Sequence, residues 1–260
     1  MTDASTDAQQ TGATEAGALL DPMPDDWQRA LAVVAHPDDL EYGAAAAVAA
    51  WTAAGKEVTY LIASRGEAGI DALPPAECAR VREAEQYASA RAVGVHEVEF
   101  LDHRDGVIEE GVPLRRDITA VLRARRPELV VTINHMDTWG GLGWNTPDHR
   151  AVGRAVLDAV GDAGNRWIFP EQLTDDGAEP WGGVRWVAVA GTDAPTHAVH
   201  VEDAAVEAAV ASLSAHHAYI TGLTDEPPAA YARSVVHQGV EMRAARFDGR
   251  RCVFFQLFPR

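Results

Sequence analysis

Positions 36–39 read His-Pro-Asp-Asp, and positions 146–149 read Thr-Pro-Asp-His. Where a loop turns into a helix, residues three apart such as His36 and Asp39 can face one ion. His149, just past another strand and at the start of another helix, is a candidate third ligand. Two imidazoles and a carboxylate suit zinc, which at catalytic sites takes three protein ligands and a water. The same set accommodates other borderline divalent metals. Asp38 then has a separate job. A carboxylate beside an activated water can take its proton and deliver it to a leaving amine. Asp148 precedes His149 and can orient its neighbours from behind, or it can serve the positive end of its helix instead. Glu41 reads as a carboxylate in the first turn of the helix after His36, stabilising that terminus.

These residues need elements to position them. Leu31 to Ala35 is a continuous apolar run, as expected for a strand buried on both faces of a parallel sheet. A helix is predicted over Leu40 to Ala54 and a strand over 57–64. A long helix over 75–94, with a glycine stop, follows. A strand over 96–102, a helix over Leu114 to Arg125 and a strand over 128–134 continue the alternation. The next helix begins at 147 with proline in its first turn. Residues 184–190 read as a further strand, 197–220 as a short strand then a helix, and 251–259 as a strongly apolar last strand. The pattern predicts an α/β protein, Rossmann-like, with a mostly parallel sheet and helices on both faces.

In such a fold the loops after the strands gather on one edge of the sheet, where ligands bind. The four loops here carry His36, Asp38, Asp39, Arg65, Glu67, Asp105, His135, Asp137, Asp148 and His149, which are expected to face one crevice. A glycine-rich phosphate loop is excluded, because the first strand runs into acidic residues that would repel phosphate.

Thirty-nine acidic residues against 22 basic ones give a net charge of −17. That balance argues against a nucleic-acid partner or an anionic lipid surface. The longest apolar run, residues 44–51, is too short to span a membrane, so no transmembrane segment is expected. Residues 1–28 hold six acidic residues and no basic one. They read as a disordered acidic tail rather than a secretory signal, leaving 29–260 as one domain. Cys78 and Cys252 lack metal-site spacing, and a reducing, cytoplasmic location is the simpler expectation. The sequence leaves a homo-oligomer open.

The segments `AHPDDLEYG`, `SRGEAG`, `RVREAEQYASARAVGV`, `LDHRDG` and `TPDHRAVGRAV`, in that order, resemble the LmbE-like or PIG-L superfamily of metal-dependent deacetylases. The resemblance runs from about residue 29 to residue 160, with weaker traces in `LSAHHAYI` and `RAARF`. It implies an LmbE-like deacetylase fold and one Zn2+ held by His36, Asp39 and His149, with Asp38 as general base and then acid. It also implies removal of an N-acetyl group from an N-acetylglucosamine-containing small molecule or glycoconjugate. Arg65 or Arg82 is implied near the substrate; Arg82 has a competing role as a helix partner of Glu85. Asp105 matches the aspartate of the family's Asp-Gly turn, in sugar recognition or loop structure.

One departure stands out. Where the family commonly has histidine, thought to stabilise the oxyanion, this chain has Thr146, which supplies a hydroxyl and no positive charge. His135, His216 and His217 are the candidates to replace it. Two alternatives follow: an amidase of a thiol-sugar conjugate, or a metal-binding homologue with little or no turnover.

Overall fold

A computed structural model describes residues 18–141, 143–173 and 178–260. In chain order the strands and helices are β1 (Asp21–Pro22), β2 (Arg29–Val34), α1 (Asp39–Gly43), α2 (Ala45–Ala53), β3 (Glu57–Ile62), α3 (Pro75–Ala92), β4 (Glu97–Phe100), α4 (Val112–Arg125) and β5 (Leu129–Ile133). There follow β6 (Thr138–Trp139), β7 (Gly143–Trp144), α5 (Pro147–Ala163), β8 (Trp186–Ala190), β9 (His197–His200), α6 (Asp203–Ser214), α7 (His217–Leu223), α8 (Pro228–Glu241) and β10 (Cys252–Pro259).

Among the described residues, eight strands form one sheet in the order β1-β9-β10-β8-β5-β2-β3-β4, and β6 and β7 form a separate hairpin. Pairing is parallel except for β10, which runs antiparallel to both β8 and β9. The period-two rule explains why β2 shows no polar alternation. Leu31, Val33 and Ala35 join the core under α4 and α5, while Ala30, Ala32 and Val34 join the core shared with α2, α6 and α8. Both faces are covered, as parallel sheets require.

The order of the strands also sets the place for chemistry. From β2 the chain moves outward through β3 to β4, then returns to the other flank of β2 at β5. β2 and β5 are therefore the switch point, where helices diverge to opposite faces and leave a crevice at the carboxyl ends of the strands. The His-Pro-Asp-Asp loop follows β2, and the loop ending in Thr146 follows β5.

Three expectations need correction. Residues 1–17 of the expected tail lie outside the described residues, but residues 18–28 are built into the fold. β1 pairs with β9, and Leu20 and Trp27 are buried. Composition misled because a few apolar residues among acidic ones suffice to dock a short edge strand. The helix expected over 40–54 is two helices, broken at Ala44 (φ −142°). The amphipathic helix α8, with Ala232, Val236 and Val240 buried, was assigned no element from the sequence. Cys78 and Cys252 are free and buried.

The helix that brings His149 to the crevice owes its position to Gly153. A Cβ there would fall 2.7 Å from Cβ of His135 and 2.9 Å from the carbonyl oxygen of Ile133, so α5 approaches the end of β5 more closely than any side chain allows. Gly153→Ala is expected to cost about 1–3 kcal/mol through overpacking, read as a lowered unfolding midpoint. Unchanged stability would mean that α5 shifts without penalty.

Candidate metal centre

At the end of β2 the backbone itself prepares one carboxylate. Oδ2 of Asp39 accepts hydrogen bonds from the N–H groups of Ala35 (3.0 Å) and His36 (2.9 Å). Its Oδ1 faces Nε2 of His149 at 2.9 Å. Nδ1 of His36 lies 3.7 Å from Asp39. Ligand atoms of His36, Asp39 and His149 thus lie within 4.8 Å of one another.

Each imidazole is oriented from its far side. Nε2 of His36 sits 3.1 Å from carboxylate oxygens of both Asp105 and Asp148. These acids place a proton on Nε2 and leave Nδ1 as the nitrogen that faces Asp39. Burial would lower the pKa of His36, but the hydrogen bonds to Asp105 and Asp148 and the nearby Asp39 charge outweigh it and raise the pKa well above the ordinary value. His149 is fixed by Asn145. The Asn145 amide donates to the carbonyls of Asn134 (2.8 Å) and Met136 (2.9 Å). Its Oδ1 is therefore the acceptor for Nδ1 of His149 (3.0 Å), which makes Nε2 the free nitrogen.

These donors fit a divalent cation. A lone pair on Nε2 of His149 and Oδ1 of Asp39 repel at 2.9 Å unless a proton or a cation lies between them. Each imidazole also has the hydrogen-bonded outer partner that metal-binding histidines carry. A second group, His36 with Asp105 and Asp148, is equally close, but its carboxylates are already engaged. Asp148 accepts from the N–H groups of Gly106 (2.7 Å) and Ile108 (3.1 Å), and Asp105 from that of Ala68 (2.8 Å). Glu67 in turn accepts from the N–H of Asp105 (3.0 Å). Asp105, Asp148 and Glu67 thus hold the loops and His36 rather than supplying another ion site.

Asp38 is buried and adopts a left-handed conformation (φ 87°), which is strained for a residue with a Cβ. Two residues of α3 hold it there. Arg82 donates to its Oδ2 (2.9 Å), and Gln86 accepts from its backbone N–H (3.0 Å). The Asp38 pKa is raised to about 7, with burial the largest cause, Arg82 opposing it and Asp39 reinforcing it. The buried Arg82 guanidinium also donates to the carbonyls of Pro37 (2.6 Å) and Gly66 (3.1 Å) and lies over the Tyr219 ring at 4.2 Å. It clamps two loops at once. It does not pair with Glu85, which accepts from the N–H of Ala218.

Several expected site residues stand elsewhere. Arg65 is tied to Glu83 (3.2 Å), Asp102 (2.7 Å) and the carbonyl of Leu101 (3.2 Å). Asp137 is exposed, 3.8 Å from Arg150 and from Arg154. His135 packs behind α5 against Gly153. Thr146 is the N-cap of α5, its hydroxyl oxygen accepting from the N–H of His149 (3.2 Å). His216 is fully buried behind α1, 3.7 Å from Glu41, an ion-pair distance. Glu41 is no helix cap, because its Oε1 accepts from Ser89 (2.6 Å) and Gln86 (3.0 Å). Burial would raise the Glu41 pKa, but His216, Ser89 and Gln86 leave it below the ordinary value. Gln86 and Asn145 were not foreseen. Their only sequence signals are helical spacing from Arg82 and position four residues before His149.

With this geometry in hand, the chain matches the PIG-L family, GlcNAc-PI de-N-acetylase, over residues 31–160. It is 30% identical over 141 residues to a diacetylchitobiose deacetylase of Thermococcus kodakarensis, covering 54% of this chain and 51% of that protein. It is 31% identical over 191 residues to a 1D-myo-inositol 2-acetamido-2-deoxy-alpha-D-glucopyranoside deacetylase of Kineococcus radiotolerans, covering 59% and 49%. The chain thus spans about half the length of these curated relatives. The solved structure of an N,N'-diacetylchitobiose deacetylase from Pyrococcus horikoshii superposes with a TM-score of 0.78 at 23% identity, covering 90% of this chain and 85% of that one. That likeness establishes the LmbE-like fold.

If Asn145 sets the tautomer of His149, Asn145→Ala should weaken zinc affinity roughly 10–100-fold, as loss of such partners does. Competitive titration with a chromophoric chelator measures it. Wild-type affinity in a folded variant would remove Asn145 from the centre.

Proposed function

The chain belongs to the PIG-L family, and from that premise we propose that it is a metal-dependent hydrolase. It removes the N-acetyl group from an N-acetylglucosamine-containing small molecule or glycoconjugate. One observation carries the reading: two imidazole nitrogens and a carboxylate oxygen converge at the switch point beside a second buried carboxylate, Asp38. His36 through Nδ1, Asp39 through Oδ1 and His149 through Nε2 would hold the ion, with Zn2+ the first choice for this donor set. When bound, such an ion polarises an amide carbonyl and acidifies a water.

The chain's own residues carry the protons. Asp38 takes one from the attacking water and returns it to the leaving nitrogen, which becomes the free amine as acetate departs. Its pKa of about 7 suits both directions of transfer. Arg82 occupies Oδ2, and among the described residues nothing donates to Oδ1, which is left for the reactant. The arginine thereby fixes where the proton is exchanged. Burial of Asp38 and Asp39 excludes bulk water from the transfer.

A second reading, a metal-binding homologue with little turnover, is favoured by Thr146. Its oxygen is spent on the helix cap, and among the described residues neither candidate metal group includes His135, His216 or His217. Acetate release from N-acetylglucosaminides separates the two readings. The two buried free thiols support a reducing, cytoplasmic setting. Among the described residues no helix is long and apolar enough to cross a membrane.

His36→Ala and His149→Ala should lose the metal. Asp38→Asn should keep it and lose about 10²–10⁴-fold in kcat. Metal content by mass spectrometry and acetate release by a coupled assay test both statements. Stoichiometric metal in both histidine variants would refute the ligand set, and an active Asp38→Asn would refute the base.

A further inference from the structure

Arg82, Gln86 and Ser89 share one face of α3, at helical spacing, and all three are buried. Two of them grip a single peptide unit. Arg82 donates to the carbonyl of Pro37 (2.6 Å), and Gln86 accepts from the N–H of Asp38 (3.0 Å). The plane that joins Pro37 to Asp38 is thus held at both of its polar atoms. The plane after Asp38 is held by α1, where the Asp38 carbonyl accepts from the N–H groups of Glu41 (2.9 Å) and Tyr42 (3.2 Å). With both planes fixed, the rotations between them are fixed too, and φ of Asp38 stands at 87°.

Which end of the Gln86 amide faces Asp38 follows from its other partner. Glu41 is held ionised, with its pKa below the ordinary value, and an ionised carboxylate only accepts. Nε2 of Gln86 therefore donates to Oε1 of Glu41 (3.0 Å), which leaves Oε1 of the amide for the Asp38 N–H. Among the described residues that N–H has no other acceptor. Left-handed strain at a residue with a Cβ and a buried donor without a partner carry costs of the same order. Loss of Gln86 adds the second cost to the first. Turning the Pro37–Asp38 plane relieves both and swings the carboxylate away from its present direction.

We propose that Gln86 is a positioning residue for the proton transfer. By accepting from the backbone N–H of Asp38, it keeps that residue in the left-handed conformation from which its carboxylate reaches the reactant. It acts on the backbone, whereas Arg82 also acts on the carboxylate itself. Among the described residues Gln86 makes no hydrogen bond to His36, Asp39 or His149, so its effect is separate from metal binding. The proposal rests on the deacetylase reading for the reaction, but not for the conformation of Asp38.

The kinetic test uses the zinc-loaded full chain and an N-acetylglucosaminide. Gln86→Met keeps the shape and removes both donor and acceptor. It should lower kcat about 10–100-fold, as a misplaced group does, with KM within about twofold of wild type and zinc content unchanged. Gln86→Glu keeps an oxygen for the Asp38 N–H, and a proton shared with Glu41 replaces the lost donor; it should recover most of the kcat. Ser89→Ala removes a donor from Glu41 without touching Asp38, and its kcat should stay within about twofold of wild type. Wild-type kcat in Gln86→Met, an equal fall in Ser89→Ala, or loss of zinc in Gln86→Met overturns the proposal.

Hydrogen exchange of the Asp38 amide, read by NMR on the labelled full chain, tests the conformation without turnover. Exchange in Gln86→Met should be about tenfold faster or more at Asp38, with the other α3 amides unchanged. That result supports the positioning role even if wild type releases no acetate, in which case the deacetylase reading is the part that falls. Exchange at Asp38 equal to wild type overturns the positioning role whatever the activity.

Discussion

Three carboxylates buried within one turn of chain, Asp38, Asp39 and Glu41, are the constraint around which the site half of this molecule is arranged. Like charges at such spacing are costly in a low-dielectric interior, and each ionised group needs a partner or a shifted pKa. The three are resolved in three ways. Asp39 takes two backbone N–H groups and faces His149, and despite its burial its pKa is held well below the carboxylate range. Glu41 is matched by His216, whose pKa is raised against the effect of burial. Asp38 receives the least complete compensation, one contact from Arg82, and its pKa rises to about 7. The group left closest to neutrality is the one suited to exchange a proton.

The partners come from different parts of the chain, which ties the fold to the site. α3 supplies Arg82, Gln86 and Ser89; the break between α6 and α7 supplies His216; α5 supplies His149. Ser89 donates to Glu41 and lies 2.7 Å from the Ser212 hydroxyl, so the network also joins α3 to α6. This explains why α3, whose sequence is strongly polar, buries Arg82, Gln86 and Ser89 together. The helix packs through hydrogen bonds to buried acids as much as through apolar contact. Such a network is stable only when its members are satisfied together.

The fold class was legible because buried parallel strands and amphipathic helices leave distinct periods, and the switch-point loops follow from the strand order. That His36, Asp39 and His149 come together, with Asp38 beside them, was legible because residue type and loop position coincide there. What escaped was whatever depends on direction rather than type. Glu41 has the residue type and position of a helix N-terminal acid, yet its side chain turns inward to Ser89 and Gln86. Arg65 and Arg82 are both arginines near the crevice, and only packing distinguishes the exposed ion pair of one from the buried clamp of the other. Asn145 and Gln86 are ordinary amides in sequence. They matter only once Asn134, Met136 and Glu41 fix which end of each amide donates.

Thr146 illustrates how one position can serve two demands in different ways. Its hydroxyl caps α5 by accepting from the N–H of His149, a role to which threonine is well suited at an N-cap. That bond and the Asn145 bond to Nδ1 act on the same residue, one on its backbone and one on its ring. The loop from Asn145 to His149 therefore holds the His149 backbone and ring rigidly, and the Thr146 oxygen is engaged within it. Under the proposed reaction, charge stabilisation would fall more heavily on a cation that His36, Asp39 and His149 would hold, and each of these side chains is already fixed by a neighbour. Rigidity of the donors is what lets a centre with fewer charged partners still be preorganised for charge that develops during reaction.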